Sequence, residues 1–108
     1  MKKTHPRPPT HLTADSKQFW TWAVREFVLE PHHVGLLKLL CEHRDAAESA
    51  RQILATHGST FTDRFGQIRA RPEVAQFRDS TIAVARLTRE LRLDDPASES
   101  RPPRIGGR

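Results

Sequence analysis

One stretch limits what this chain can become. Pro31 to about His57 reads as a single helix, PHHVGLLKLLCEHRDAAESARQILATH. Pro31 suits the first helical position, where its missing N–H has no partner to lose. Gly58 follows His57 and can take the left-handed backbone that closes a helix. Between these marks Leu36, Leu40, His43, Ala47, Ala50 and Leu54 recur at alternating spacings of four and three, the period of one helical face. The face is bulky in its first half and small in its second, and small residues let another backbone come close. The helix therefore reads as a scaffold in search of partners.

The rest of the chain is short. Its 108 residues make one small domain at most. Residues 1–11, MKKTHPRPPTH, read as a disordered basic arm, and 94–108 as a disordered tail. The folded domain is expected at 12–93. A core that small buries a limited fraction of its surface, and oligomerisation is a common remedy. Cys41 is the one cysteine, so no disulfide forms within the chain. Met1-Lys2-Lys3 is followed by no apolar run, and no stretch is apolar enough to span a bilayer. A soluble intracellular protein is expected.

Upstream of the scaffold, Thr13 is a good N-cap and Asp15 suits the first turn of a helix running to about Val28. Phe19, Trp20, Ala23, Phe27 and Val28 make its apolar face. Trp22 lies off that face, where it either widens the buried stripe or meets another subunit. Leu29-Glu30-Pro31 is a tight corner, so the two helices should form an antiparallel or crossed pair. After Gly58 the period changes. Ser59–Thr62 and Gln67–Arg69 flank a turn, Asp63-Arg64-Phe65-Gly66, and predict a β-hairpin. A lone hairpin is barely stable, which makes Phe61, Phe65 and Ile68 candidate anchors onto helices or onto a neighbour. Pro72 restarts helix to about Leu93. Val74, Phe77, Thr81, Val84, Thr88 and Leu91 form its apolar stripe, widened by Ile82, Ala85 and Leu87. The fold class is mainly α: a helical hairpin with a long second helix, a short β-hairpin and a further helix.

Charge says more about partners than about fold. The net charge is +5 and the sequence pI about 10.3, which favours a polyanion. Arg64, Arg69, Arg71, Arg78, Arg86, Arg89 and Arg92 stand against Glu73, Asp79 and Glu90 in the last third. Arginine suits bidentate phosphate contact. The candidate DNA-binding residues are Lys2, Lys3, Arg7, Lys17, Arg25, Arg69, Arg71 and Arg78. The candidate subunit contacts are Trp22, Ala47, Ala50, Phe61, Phe65 and Ile68. A helix-turn-helix made of the first two helices lacks the usual turn glycine, and its second helix is too long for a recognition helix.

Catalytic and metal chemistry find little to stand on. His32 and His33 are adjacent and diverge on a helix, while His43 and His57 lie too far along it to join them. Cys41 has no cysteine or histidine partner at ligand spacing, so no zinc pattern forms. There is no Gly-x-Ser-x-Gly elbow and no phosphate loop. The chain is expected to be no enzyme and to need no cofactor.

In order, the chain presents a Trp-bearing helix, Leu29-Glu30-Pro31-His32-His33, a Leu-to-Ala long helix and then Gly58-x-Thr60-x-x-Asp63-Arg64-Phe65-Gly66-Gln67-x-Arg69-x-x-Pro72. Arg78-Asp79 and Ala85-Arg86-Leu87-x-Arg89-Glu90-Leu91 follow. This combination resembles the small terminase subunit of cos-type tailed phages and prophages, in the branch with a short helical body and a hairpin. The resemblance spans about 12–93. It implies a homo-oligomeric ring that binds double-stranded viral DNA in the host cytoplasm. Such a ring delivers DNA to the large terminase subunit and is itself non-catalytic. It carries over no invariant catalytic motif, so the DNA-binding assignments rest on charge. Two other classes stay open from the residues alone: a helical protein-interaction module and a DNA-binding transcriptional regulator.

Overall fold

The computed structural model describes residues 5–93. The expectations for Lys2, for Lys3 and for the 94–108 tail lie outside the described residues. The fold is mainly helical with a short antiparallel hairpin, in the order α1 (Ala14–Glu26), α2 (Pro31–His57), β1 (Thr60–Thr62), β2 (Ile68–Ala70) and α3 (Pro72–Glu90).

The long helix begins and ends where its punctuation predicts. Pro31 opens α2, and the Glu30 N–H donates to His33 Nδ1 at 3.1 Å. Gly58 closes it at φ +81°, with its N–H on the Leu54 carbonyl. Both flanking helices pack on this one. The core joins Leu12, Trp20, Ala23 and Val24 to Leu37, Leu40 and Cys41 of α2 and to Leu91 beyond α3. Because α2 serves two neighbours, its buried stripe is wider than one seam. Leu37, Leu40, Cys41 and Ala50 are fully buried, while Leu36, His43, Ala47 and Leu54 line the edges.

Two details of α1 differ from expectation. The helix stops at Glu26 rather than Val28: Phe27 is already extended (φ −126°, ψ 148°), and Glu30, just before Pro31, is extended as a pre-proline residue must be. Phe27 still turns inward, but Val28 faces solvent at 88% exposure, and Val24 takes its place in the core. The segment before α1 is tied down at two points. The Pro6 carbonyl accepts from Trp20 Nε1 at 3.0 Å, and His11 Nε2 meets Glu42 Oε2 at 2.8 Å.

The inner face of α3 follows the expected stripe at Val74, Phe77, Val84, Thr88 and Leu91 and departs from it at one turn. Ser80, not Thr81, points inward, and Ile82 is 53% exposed. A buried serine there has a partner: its Oγ lies 3.5 Å from His43 Nδ1 on α2. Thr81 instead returns its hydroxyl to the Phe77 carbonyl. The helix ends at Glu90, before Leu93, and Arg92 sits at φ +60°.

Asp45 is the polar lock between α1 and α2. It accepts from the Thr13 N–H at 2.9 Å, from the Thr13 hydroxyl at 2.7 Å and from the buried Ser16 hydroxyl. Thr13 meanwhile caps α1 through Ser16 N. Partial burial opposes ionisation of Asp45, but the Ser16 and Thr13 hydrogen bonds outweigh it and hold the carboxyl below its ordinary 3.8. A depressed folded-state value means that this stabilisation is present above about pH 3.8 and fades as pH falls through the lower folded value. Asp45→Ala should cost about 1–3 kcal/mol, because the buried Ser16 hydroxyl loses its carboxylate partner and the tie to Thr13 goes with it. Urea midpoints check it: the gap between wild type and variant should be full at pH 7 and shrink progressively below pH 3.8.

Candidate nucleic-acid interface

The outer face of α3 carries Arg78, Ile82, Arg86 and Arg89. On a helix these spacings fall within one narrow stripe, and all four are exposed. Arg78 Nε lies 3.3 Å from Asp79 Oδ1. Arg86 and Arg89 make no ion pair among the described residues. The sequence places both on the polar face of the last helix, but charge bias alone does not single them out, and of this stripe only Arg78 stands among the candidate DNA-binding residues. The four-, four- and three-residue spacing is the signal that points to them.

The hairpin presents two different faces. Its register pairs Thr60 with Ala70, Phe61 with Arg69 and Thr62 with Ile68. Cross-strand partners share a side, so Phe61 and Arg69 lie on one face and Thr60, Thr62, Ile68 and Ala70 on the other. Arg71 places its guanidinium 5.8 Å from the Phe61 ring. Asp63 organises the turn, with Oδ1 accepting from Phe65 N at 2.8 Å and from Gln67 N at 3.0 Å. Its Oδ2 takes Arg69 Nε at 2.7 Å. The Arg69 contact, then these amides, hold the Asp63 carboxyl below its usual range. Gly66 supplies the positive φ of +80° that the turn requires.

The sequence-predicted cations are therefore not one patch. Arg7 is exposed ahead of α1, Lys17 is half-buried on it, and Arg25 is exposed in its last turn. Arg69 is paired with Asp63, Arg71 is half-buried against Phe61, and Arg78 adjoins Asp79. The structure brings Arg69 and Arg71 together on the hairpin and sets Arg78 at the start of the α3 stripe.

The expected subunit contacts divide in the same way. Ala50 is fully buried within the chain. The His43–Ser80 and Gln76–Ala46 contacts set α3 along this side of α2, so Ala50 has no surface left for a second copy. Ala47 lines an open groove of about 610 Å³ together with Asp15, Asp45, Glu48, Phe77 and Val84. Trp22 is 41% exposed and leans its ring on Phe19 and Phe27. Phe61, Phe65 and Ile68 do not serve as anchors within the chain: they are 37%, 74% and 75% exposed.

Asp45 and Glu48 of the groove are poorly suited to act as general acids. Hydrogen bonds from Arg51 and Gln52 bring Glu48 to about 2, and Asp45 is likewise held ionised. A general acid needs the opposite shift. Arg44, which sequence reasoning passed over, bridges α2 to α1. Its terminal nitrogen reaches Asp15 Oδ2 at 2.7 Å, and its guanidinium lies 4.3 Å from the Phe19 ring. The 27-residue α2 is packed by α1 and α3 along much of its length. Among the described residues no helix is long and apolar enough to cross a membrane, and no His, Cys, Asp and Glu grouping is arranged to hold a metal.

Comparison with curated proteins and with solved structures found no match. Residues 17–106 match the family described as phage terminase, small subunit.

Proposed function

The chain belongs to the phage terminase small-subunit family, whose role lies in phage DNA packaging, and on that footing we propose that it is the non-catalytic DNA adaptor of a packaging motor. In this reading it assembles as a homo-oligomeric ring, binds double-stranded phage DNA and hands it to the large terminase subunit in the host cytoplasm. The observation that carries the DNA part is the exposed α3 stripe, where Arg86 and Arg89 make no ion pair among the described residues. Arginines of this kind recognise phosphates without reading bases. Arg69 and Arg71 extend the cationic surface onto the hairpin, while Arg7, Lys17 and Arg25 offer weaker flanking charge.

A ring multiplies these modest contacts, because each further subunit on the same duplex binds at high effective concentration. Self-association falls to the apolar surface that the fold leaves uncovered: Trp22, the Ile68 face of the hairpin and the exposed rim at Ala47. A two-stranded hairpin with both edges open also gains stability from a neighbour.

Light scattering and a salt titration test the two halves separately. The native mass should be an integral multiple of the subunit mass, and a monomer at working concentration would sink the ring. Affinity for duplex DNA should fall linearly on logarithmic axes as salt rises. An affinity that ignores salt would remove phosphate contact as the basis of binding.

A further inference from the structure

We propose that the hairpin tip is a DNA wedge: Phe65 enters the minor groove and inserts between adjacent base pairs, while Arg64 and Arg71 hold the flanking phosphates. This rests on the DNA-binding reading above and adds where and how the duplex is deformed.

The turn does not need Phe65. Asp63 and Gly66 do the turn chemistry, through two amide hydrogen bonds to Oδ1, an Asp63 N–Gln67 O bond at 2.9 Å and a Gly66 N–Asp63 O bond at 3.0 Å. Asp and Gly are the residues such a turn asks for, and the place between them makes no demand for an aromatic ring. Phe65 nonetheless occupies it, 74% exposed. A braced turn that holds out a large apolar ring resembles in its physics the wedges that unstack a base step and bend the duplex.

The charge around the tip selects the partner. Between Ser59 and Arg71 the cations Arg64, Arg69 and Arg71 face Asp63 alone, and Arg69 already neutralises that acid. Arg64 lies 5.1 Å over the Phe65 ring, so the tip is apolar and cationic at once. That pairing complements stacked bases set between phosphates. A second copy of this tip would bring like charge to like charge. The Thr60, Thr62 and Ile68 face carries no cation and is left free for a neighbouring subunit.

The test uses the full chain and a short duplex that carries 2-aminopurine at TA and CA steps, which unstack most readily. Wild type should raise 2-aminopurine fluorescence on binding. Phe65→Ala should lose that rise and weaken binding by roughly tenfold, with native mass and salt slope unchanged. Phe65→Trp should restore the fluorescence rise. A full rise with Phe65→Ala overturns the wedge. So does a changed native mass for that variant, which would make Phe65 a subunit contact. Wild-type binding without any rise also overturns the wedge while leaving the DNA adaptor standing. An absence of wild-type binding at any salt would remove both.

Discussion

Replacing Trp20 with alanine should cost about 3–5 kcal/mol, the range for deleting a large buried aromatic side chain. Trp20 is 2% exposed, and it joins α1 to Leu37, Leu40 and Cys41 of α2. Its indole N–H is also the pin that holds the Pro6 carbonyl. The variant loses both the packing and the pin. For a domain of this size each kcal/mol moves the thermal midpoint by about 4–8 °C, and a total stability near the low end of about 5–15 kcal/mol leaves little margin. The expected outcome in calorimetry is a midpoint lowered by well over ten degrees or no cooperative transition at all. Trp20→Phe keeps the core filled in part and loses the indole donor, worth about 1 kcal/mol, along with some ring volume, so its cost should lie between wild type and alanine. Trp22→Ala is the control: a ring 41% exposed should matter little to folding. Any shift in native mass for that variant would instead report on assembly.

Removing Arg78, Arg86 and Arg89 together should change DNA binding more than any other surface substitution. Every phosphate left without its arginine lowers the slope of log affinity against log salt by about 0.9, so three arginines account for about 2.7 for every subunit engaged on the duplex. Folding should change by no more than about 0.5 kcal/mol, because all three side chains are exposed and Arg78 makes only a surface pair with Asp79. Filter binding or anisotropy across a salt series reads the slope directly. An unchanged slope would mean that the α3 stripe does not touch DNA. Restoring Arg86 alone should return about one third of the slope if the three arginines act independently.

What the sequence made legible depended on whether a local rule decided the outcome. The bounds of α2 were legible because Pro31 and Gly58 have conformational requirements of their own. The hairpin was legible because Asp63 and Gly66 serve the turn whatever surrounds it. On α3 most of the inward stripe was legible, but the place of Ser80 on it was not. Ser80 is buried because His43 lies opposite it across a helix–helix contact, and no pattern within α3 carries that information. Val28 left the core because the helix ends before it, at Glu26, and no helical period carries across that break. The site followed the same division. The arginines were visible as a composition bias. Which of them already have a carboxylate beside them came only from the Asp63 and Asp79 contacts across the hairpin and along α3. Ala50 looked like a place for a second backbone, and α3 of the same chain already occupies that side of α2.

The position of Cys41 gives the chain an internal clock. Its sulfur is fully buried between α1 and α2, and desolvation, partly offset by Arg44, pushes the thiol up to about 11. A thiol that is both shielded and protonated does not react with an alkylating agent. Every modification event therefore counts one parting of α1 from α2. Labelling kinetics of the full chain, with and without duplex DNA, would measure how firmly α1 is closed on α2 in each condition.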